Sequence, residues 1–471
     1  MIFTSGLEIM DALLKKARAI GVDLKEDIAV LDLVTVDGAV NGAIGLDIRS
    51  GELVHFRAKA VILASGGWHK AFWPTTGMRD LAGEGMAMAY RAGAALGNME
   101  FVTFCCNVFL SPPAWQGSIA PYVMSLLVGG GSLTNSTGED ILQQYDPFVV
   151  KVGTSTEWNK SFISYATTKE VLAGKGSPNG GVYFSRGDVP WEKVSKIAEM
   201  LFPNWRCKGI DFSEWGRMLE VNEAVEVGAA TEYFDGGIVV NDQFETGLKG
   251  LYAAGECTLG PFGANRVFAA ITEMLVHGTT AGANAGTYAQ KAKVLPPEEE
   301  AFTALEEKIE APLRRAKGYN PAQVRRQVQE AAHKHLGPIR DKQNLTKFIE
   351  YLGEVKTNLL PNLATSSKSR VYNKEWLDAL ELGSIAQLLE VATQSALART
   401  ESRGVHFRQD YPITDNDGWL VEQIVRLEGD GFKIDRRPVT VTIKALPSGK
   451  APYLEFMKQM MQSHSDTGGK H

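Results

Sequence analysis

Cysteine is scarce. The four in the chain, Cys105, Cys106, Cys207 and Cys257, are irregularly spaced and form no CxxC pair. That excludes a disulfide framework and offers no cysteine set for an iron–sulfur or zinc site. Positive charge is not in excess: the formal net charge is -6, so no basic field awaits a nucleic-acid backbone. No apolar run reaches the roughly eighteen residues of a membrane span. The longest candidate, 118–133, is interrupted by Pro121 and by Gly129, Gly130 and Gly131. The first residues lack a basic region followed by an apolar stretch, so they do not read as a signal peptide. Together these absences predict a cytoplasmic protein that touches a membrane only peripherally, through partners.

What is present is an ordinary globular balance, 44% hydrophobic and 22% charged. A chain of 471 residues is too long for one core. Leu7, Ile9, Met10, Leu13, Leu14 and Ala17 share one face of a first helix, with Ser5 as N-cap and Gly21 as stop. Short β-branched runs follow at 28–35, 42–48, 53–56 and 58–64, with Asp37-Gly38 and Ser50-Gly51 as turns. A helix rich in small residues spans 83–93. Residues from about 100 to 225 carry Trp, Pro and Gly with weak periodicity, which predicts an inserted mixed unit. Strands at 237–240 and 250–254, then a helix over 265–288, return to the earlier character. Helices are predicted over 297–334, 339–360 and 376–400, then a β-rich tail with strands at 432–434 and 439–443, disordered after Gln462.

Three segments could carry chemistry. In AVILASGGW a buried strand runs into Ser65-Gly66-Gly67, which is either a tight strand-end turn or a place where backbone approaches a bound group. Gly83-Glu84-Gly85 opens a helix whose free N–H groups suit a polar ligand, or simply caps it. In GLYAAGECTLGPFGANR a strand ends at Gly255-Glu256, and Arg266 begins a helix. Glu256 can hold the hydroxyls of a ribityl or ribose chain, and Arg266 can grip a carboxylate with two parallel hydrogen bonds. The alternative for Arg266 is a surface salt bridge. The segment ALARTESRGVHFRQDYP packs Arg399, Glu401, Arg403, His406, Arg408 and Asp410 together and, by charge alone, reads as a solvated face. Adjacent Cys105-Cys106 read as buried structural thiols.

These segments, in this order, resemble the fumarate reductase / succinate dehydrogenase flavoprotein family, which also includes L-aspartate oxidase and the alpha subunit of adenylylsulfate reductase. The resemblance runs from SGLEIMDALLKKA through AVILASGG, GEGMAMAYRAGA, NMEF, EVLAGKG, EYFDGGIVVN, GLYAAGEC, GANR and TESRGVHFRQDYP to RRPVTV. It implies an α/β fold: an incomplete, Rossmann-like FAD-binding domain with an inserted α+β capping domain and a C-terminal helical domain. The expected units are 1–110 and 226–292 for the FAD-binding domain, 111–225 for the capping domain, 293–420 for the helical domain and 421–471 for a β-rich tail. The cofactor implied is FAD, with Ser65, Gly66, Gly67, Gly83, Glu84, Gly85, Glu256 and Arg403 as cofactor-binding residues. Hydride passes between flavin and a small-molecule substrate in this family, with Arg266 as the substrate-carboxylate arginine.

The chain departs from the family in three ways. No GxGxxG loop is present, so a separate chain supplying the FAD-diphosphate loop, or an incomplete gene product, is expected. The dicarboxylate site is rewritten: Cys105 stands where the family has a histidine, Val123 and Met124 where it has a Thr-Glu pair, and Glu232 where it has a second histidine. No histidine lies between His69 and His277 to take over those roles. The family's proton-donating arginine falls at Lys160, or alternatively Tyr165. Lys160 is then either a proton donor or a surface cation.

A dianion such as fumarate needs several polar partners to offset its desolvation. The expected reaction is therefore hydride transfer between FAD and an unsaturated or sulfur-containing substrate other than fumarate, with Arg266, Lys160 and Glu232 as catalytic residues. An iron–sulfur electron-transfer subunit is the expected partner. The alternatives are an L-aspartate oxidase-like enzyme and a non-catalytic scaffold subunit.

Overall fold

The structure is a computed structural model that describes residues 6–120, 123–155, 159–201, 212–260, 263–264, 270–294, 299–429, 431–440 and 446–465. Ser5, Pro121, Cys207 and Arg266, singled out above, lie outside the described residues.

Helix α1 (Gly6–Ala19) leads into an antiparallel meander of β1 (Ile28–Val36), β2 (Ala39–Asp47) and β3 (Glu52–Arg57). Asp37 and Gly38 both take positive φ, 51° and 71°, as a two-residue hairpin with matching strand twist requires. Next come β4 (Val61–Leu63), α2 (Glu84–Arg91) and β5 (Leu96–Gly97).

The inserted part contains β6 (Val102–Phe109), α3 (Val123–Val128), β7 (Ser132–Thr134), α4 (Pro147–Ser155), α5 (Asn159–Glu170), β8 (Val182–Ser185), α6 (Trp191–Leu201), α7 (Phe212–Glu220) and β9 (Val225–Phe234). Its four strands form one antiparallel sheet in the order β6-β9-β8-β7. Phe109, Phe162, Phe184 and Trp215 fill a core of its own.

The chain then runs through β10 (Gly237–Ile238), β11 (Leu251–Ala253) and α8 (Ala270–Lys291) into a helical region. There α9 (Glu299–Arg314), α10 (Pro321–His335), β12 (Ile339–Arg340), α11 (Lys342–Glu354) and α12 (Lys374–Ala398) follow one another. Asn320, Asp341 and Asn373 cap α10, α11 and α12, each side chain accepting from a backbone N–H three residues on. Fourteen of the 25 residues of α12 are buried, on all sides, so it is a central helix rather than a surface one. It shares one core with α2, α10 and α11, so the helical region is fused to the first part of the chain.

The tail is β-rich as expected up to residue 452, with the strand expected at 432–434 in place; that expected at 439–443 falls mostly outside the described residues. β13 (Phe407–Arg408) and β14 (Ile413–Asp415) are followed by a hairpin of two eight-residue strands, β15 (Val421–Glu428) and β16 (Gly431–Pro438), which joins β5 and β10 in one sheet. After β17 (Lys450–Pro452) comes α13 (Tyr453–Ser465), a helix where a β-rich end was expected. Tyr453 and Met457 explain it: they are buried in the core of the inserted part, so tertiary packing holds the helix.

Residues 399–410 also overturn the reading by charge. Arg399, Glu401, His406 and Arg408 are buried, not solvated. Arg399 pairs with Glu100 at 2.7 Å and with Glu401 at 2.9 Å, and Arg408 pairs with Asp410 at 2.7 Å. His406 Nδ1 accepts from the Arg340 guanidinium at 2.8 Å, and burial, with the surrounding arginines, holds this imidazole well below its ordinary pKa. Burial likewise pulls Arg340 down to about 9, which leaves it charged at neutral pH.

Candidate active site

β4 and β11 are parallel neighbours in register, Val61 opposite Leu251 and Leu63 opposite Ala253. Both run into glycine-bearing turns, Ser65-Gly66-Gly67 after β4 and Gly255-Glu256-Cys257 after β11. The two turns therefore leave the pair side by side, at the carboxyl ends of parallel strands, where open α/β sheets bind ligands. Gly67 has no room for a side chain. A Cβ there would lie 2.7 Å from the Phe234 ring and 2.9 Å from the Glu256 carboxylate.

On one side of these turns is a cavity of about 240 Å³. Ser65, Glu84 and Gly85 line it together with β1 and α12. A Cβ on Gly85 would overlap Ser65 Oγ, and Gly83 takes φ 77° as the residue before α2. Ser65 Oγ is shut off from water with no nitrogen or oxygen partner; it lies beside the Cys257 thiol, a weak one. Burial raises the Glu84 carboxyl above its ordinary pKa, and Lys70 partly offsets this. Lys70 is itself buried and ion-paired with Asp378, at 3.0 Å, and with Glu381.

On the other side the inserted part contributes. Lys160, at the start of α5, and Glu232, on β9, form an ion pair of 2.7 Å with side chains 21% and 23% exposed. His69 joins this pair to the strand-end turns. Its Nε2 bonds the Glu232 backbone carbonyl at 3.0 Å and stands 3.6 Å from Glu256 Oε1. Burial lowers the His69 pKa, so the ring is neutral and the approach to Glu256 is not a full ion pair. Nε2 is then the protonated nitrogen, because only a donor satisfies a carbonyl. Glu256 Oε1 also accepts from the Phe234 N–H at 3.3 Å. Gly77 makes room for the imidazole, since a Cβ there would overlap it.

Cys105, on β6, is buried next to this pair. Burial first, then Glu232, hold its thiol well above the ordinary value, with Lys160 opposing, so it is an inert wall rather than a nucleophile. Val123 is buried in the core of the inserted part and offers no polar atom. Tyr165, the alternative donor, is packed against Phe407 and Tyr453 in that same core.

The structure thus brings together Lys160 and Glu232, and Ser65, Gly67, Gly85 and Glu256 around paired turns. Arg403 is elsewhere engaged. Its guanidinium bonds both Glu401 oxygens, the Asp415 carbonyl and Asn416. It holds a turn whose Val405 N–H bonds the Ala264 carbonyl at 3.0 Å, so the chain leading toward Arg266 rests on residues 403–405. His69 was not singled out from the sequence. Its position two residues past Gly67 was the one available signal, and nothing local foretold its contact with Glu232.

Residues 1–270 match the family model described as FAD binding domain, and residues 325–453 the one described as fumarate reductase flavoprotein C-term. One subunit of the CoM/CoB fumarate reductase of Methanothermobacter marburgensis is 30% identical over 417 residues, which cover 87% of this chain and 72% of that protein. The fumarate reductase flavoprotein subunit of Mycobacterium tuberculosis is 31% identical over 441 residues, covering 89% of this chain and 72% of its own. Among solved structures, FrdA of the E. coli quinol fumarate reductase is similar with a TM-score of 0.80 at 25% identity, over 93% of this chain and 76% of that one.

Proposed function

The chain belongs to the fumarate reductase / succinate dehydrogenase flavoprotein family of FAD-dependent oxidoreductases, and from that premise we propose that it handles a small unsaturated or sulfur-containing substrate other than fumarate. FAD, when bound, supplies the hydride donor or acceptor. The observation that carries the reading is the Lys160–Glu232 pair beside the buried thiol of Cys105. A dianion brought here would meet a lysine whose charge Glu232 already balances, beside the buried Cys105, and Arg266 would answer only one of its two carboxylates. That leaves much of its desolvation cost without compensation, whereas a singly charged or neutral acceptor pays far less.

In this reading Lys160 delivers a proton from Nζ to the reduced substrate, and Glu232 keeps the ammonium in place. Arg266 grips a carboxylate of the substrate. Ser65, Gly66, Gly67, Gly83, Glu84, Gly85 and Glu256 lie along the cofactor. What supports this is the fit: a secluded Ser65 hydroxyl with a weak partner, glycines with no space for Cβ, and a cavity of polar and apolar wall. That cavity, about 240 Å³, falls below the roughly 300–1,000 Å³ of pockets that take drug-sized ligands. It suits a nucleoside-sized part of FAD.

The remainder of the cofactor site, on this proposal, comes from further polypeptide that carries the diphosphate loop. The uncovered surface supports it. Parallel sheet is normally covered on both faces, yet Ile62 of β4 is 40% exposed. Ile271, Met274, Leu275 and Val276 of α8, which packs against β4, are exposed as well. Electrons would pass to or from an iron–sulfur subunit, and any membrane contact would be through partners; among the described residues no helix is long and apolar enough to cross a membrane.

The test is to photoreduce the flavin-loaded protein, with its partner polypeptide where needed, and follow flavin reoxidation by fumarate, an enoyl thioester and a disulfide or sulfoxide. Reoxidation by one of the latter at least about tenfold faster than by fumarate is expected; fumarate as the fastest acceptor would overturn the reading. The replaced donors also favour a second reading, a scaffold subunit without turnover. A colourless complex that no acceptor affects would decide for it.

A further inference from the structure

The geometry points to a second small-molecule site, for a short-chain monocarboxylate, in a cavity of about 260 Å³ between α5, β9 and the end of α10. It is separate from the Lys160–Glu232 site. Cys106 lines it, and Cys106 and Cys105 are adjacent on β6, so their side chains point to opposite faces of the sheet. Cys105 senses Glu232 and Lys160, whereas Cys106 senses Thr167 on the face covered by α5.

The walls define the ligand. Val171, Leu172, Val227 and Ile339 give an apolar lining suited to an alkyl chain. Leu172 stands 62% exposed at the rim, which is costly for a large aliphatic residue with nothing against it. His333 provides a polar contact within. Its Nδ1 is closed even to water, which leaves Nε2 as the nitrogen that can meet a ligand, and its ring meets Phe104 edge-on at 6.0 Å. Burial brings this imidazole to about 4, so at neutral pH it is uncharged and can give or take one hydrogen bond. Lys334, exposed beside it, supplies the charge. Among the described residues that line it there is no aspartate or glutamate to repel an entering anion. Scaled from pockets of drug-sized ligands, the volume suits about ten non-hydrogen atoms.

The cavity shares three elements with the candidate active site. Helix α5 carries Lys160 near one end and Thr167 and Thr168 about two turns on; β9 carries Glu232 and Val227; β6 carries the two cysteines.

Isothermal titration of the full chain at neutral pH with hexanoate, hexanol and hexylamine tests the site. Hexanoate is expected to bind saturably at one site and at least about fivefold tighter than the other two probes. Ala229→Phe, which fills the cavity, and Lys334→Glu, a surface change that leaves the fold intact, should each weaken hexanoate by a similar factor. Absence of saturable binding overturns the proposal. So does equal affinity for the three probes, or unchanged binding in Lys334→Glu. Binding lost in Lys160→Ala but kept in Ala229→Phe would move the ligand to the other site and overturn it as well.

Discussion

Lys160 Nζ and Glu232 Oε2 stand 2.7 Å apart, one from a helix and one from a strand of the inserted part, with the His69 ring bonded to the backbone of the same glutamate. The lysine is poorly placed to be a merely structural cation. Partly exposed ion pairs contribute about 0–1 kcal/mol to stability, so Lys160→Met should change the urea midpoint little. A proton donor contributes roughly 10²–10⁴-fold to rate, and turnover of the true substrate should fall accordingly. A variant with normal turnover would remove Lys160 from the reaction.

Gly67→Ala should separate flavin retention from folding. The new methyl group would press on the Glu256 carboxylate and the Phe234 ring. Overpacking of this kind costs about 1–3 kcal/mol, which a chain of this size tolerates. The absorbance ratio of flavin to protein in the purified variant should drop well below that of the parent. Full flavin content would mean that the two strand-end turns do not flank the cofactor.

Arg399→Ala should be among the most damaging single changes outside the site. It leaves the fully buried Glu100 without its ion-pair partner, while Glu401 keeps Arg403. Breaking one side of a buried pair costs about 3–5 kcal/mol. Chemical denaturation should show that loss; a change below about 1 kcal/mol would mean the network relaxes to water.

The buried histidines give stability an acid limit. His333 is held near 4 in the folded chain, below the ordinary imidazole value of 6.5. The unfolded chain therefore binds the extra proton first as pH falls. Stability from this residue is intact above about pH 6.5 and declines between there and pH 4, by up to about 1.4 kcal/mol per unit. His333→Gln should flatten that slope in denaturation curves measured at pH 7 and pH 5, and an unchanged slope would assign the acid sensitivity to other groups, His406 first.

Much of the architecture was readable in the chain because it is local. Asp37-Gly38, the strand-to-glycine runs at Ser65 and Gly255, and the long helix ending near Ala398 are each announced by their own neighbours. What was not readable depends on residues far apart. Arg399 and Arg408 read as solvated because the residues that bury them, and Glu100 and Arg340 which share their network, lie in other segments. The same holds for His69 against Glu232, and for the helix at Tyr453–Ser465, which exists because it docks on the inserted part. Arg266, expected from the sequence to grip the substrate carboxylate, lies outside the described residues.

The long ladder between β6 and β9 threads through both interiors: Val102, Phe104 and Phe234 belong to one, Cys106, Phe109, Val225 and Val227 to the other. Its pairing is broken in register between Thr103 and Phe104 and again between Cys106 and Val108. The inserted part is thus not a flap on a string. It is geared to the body by a two-stranded shaft and by the docked helix α13, and the two irregular steps of the shaft flank Cys105, with Glu232 alongside.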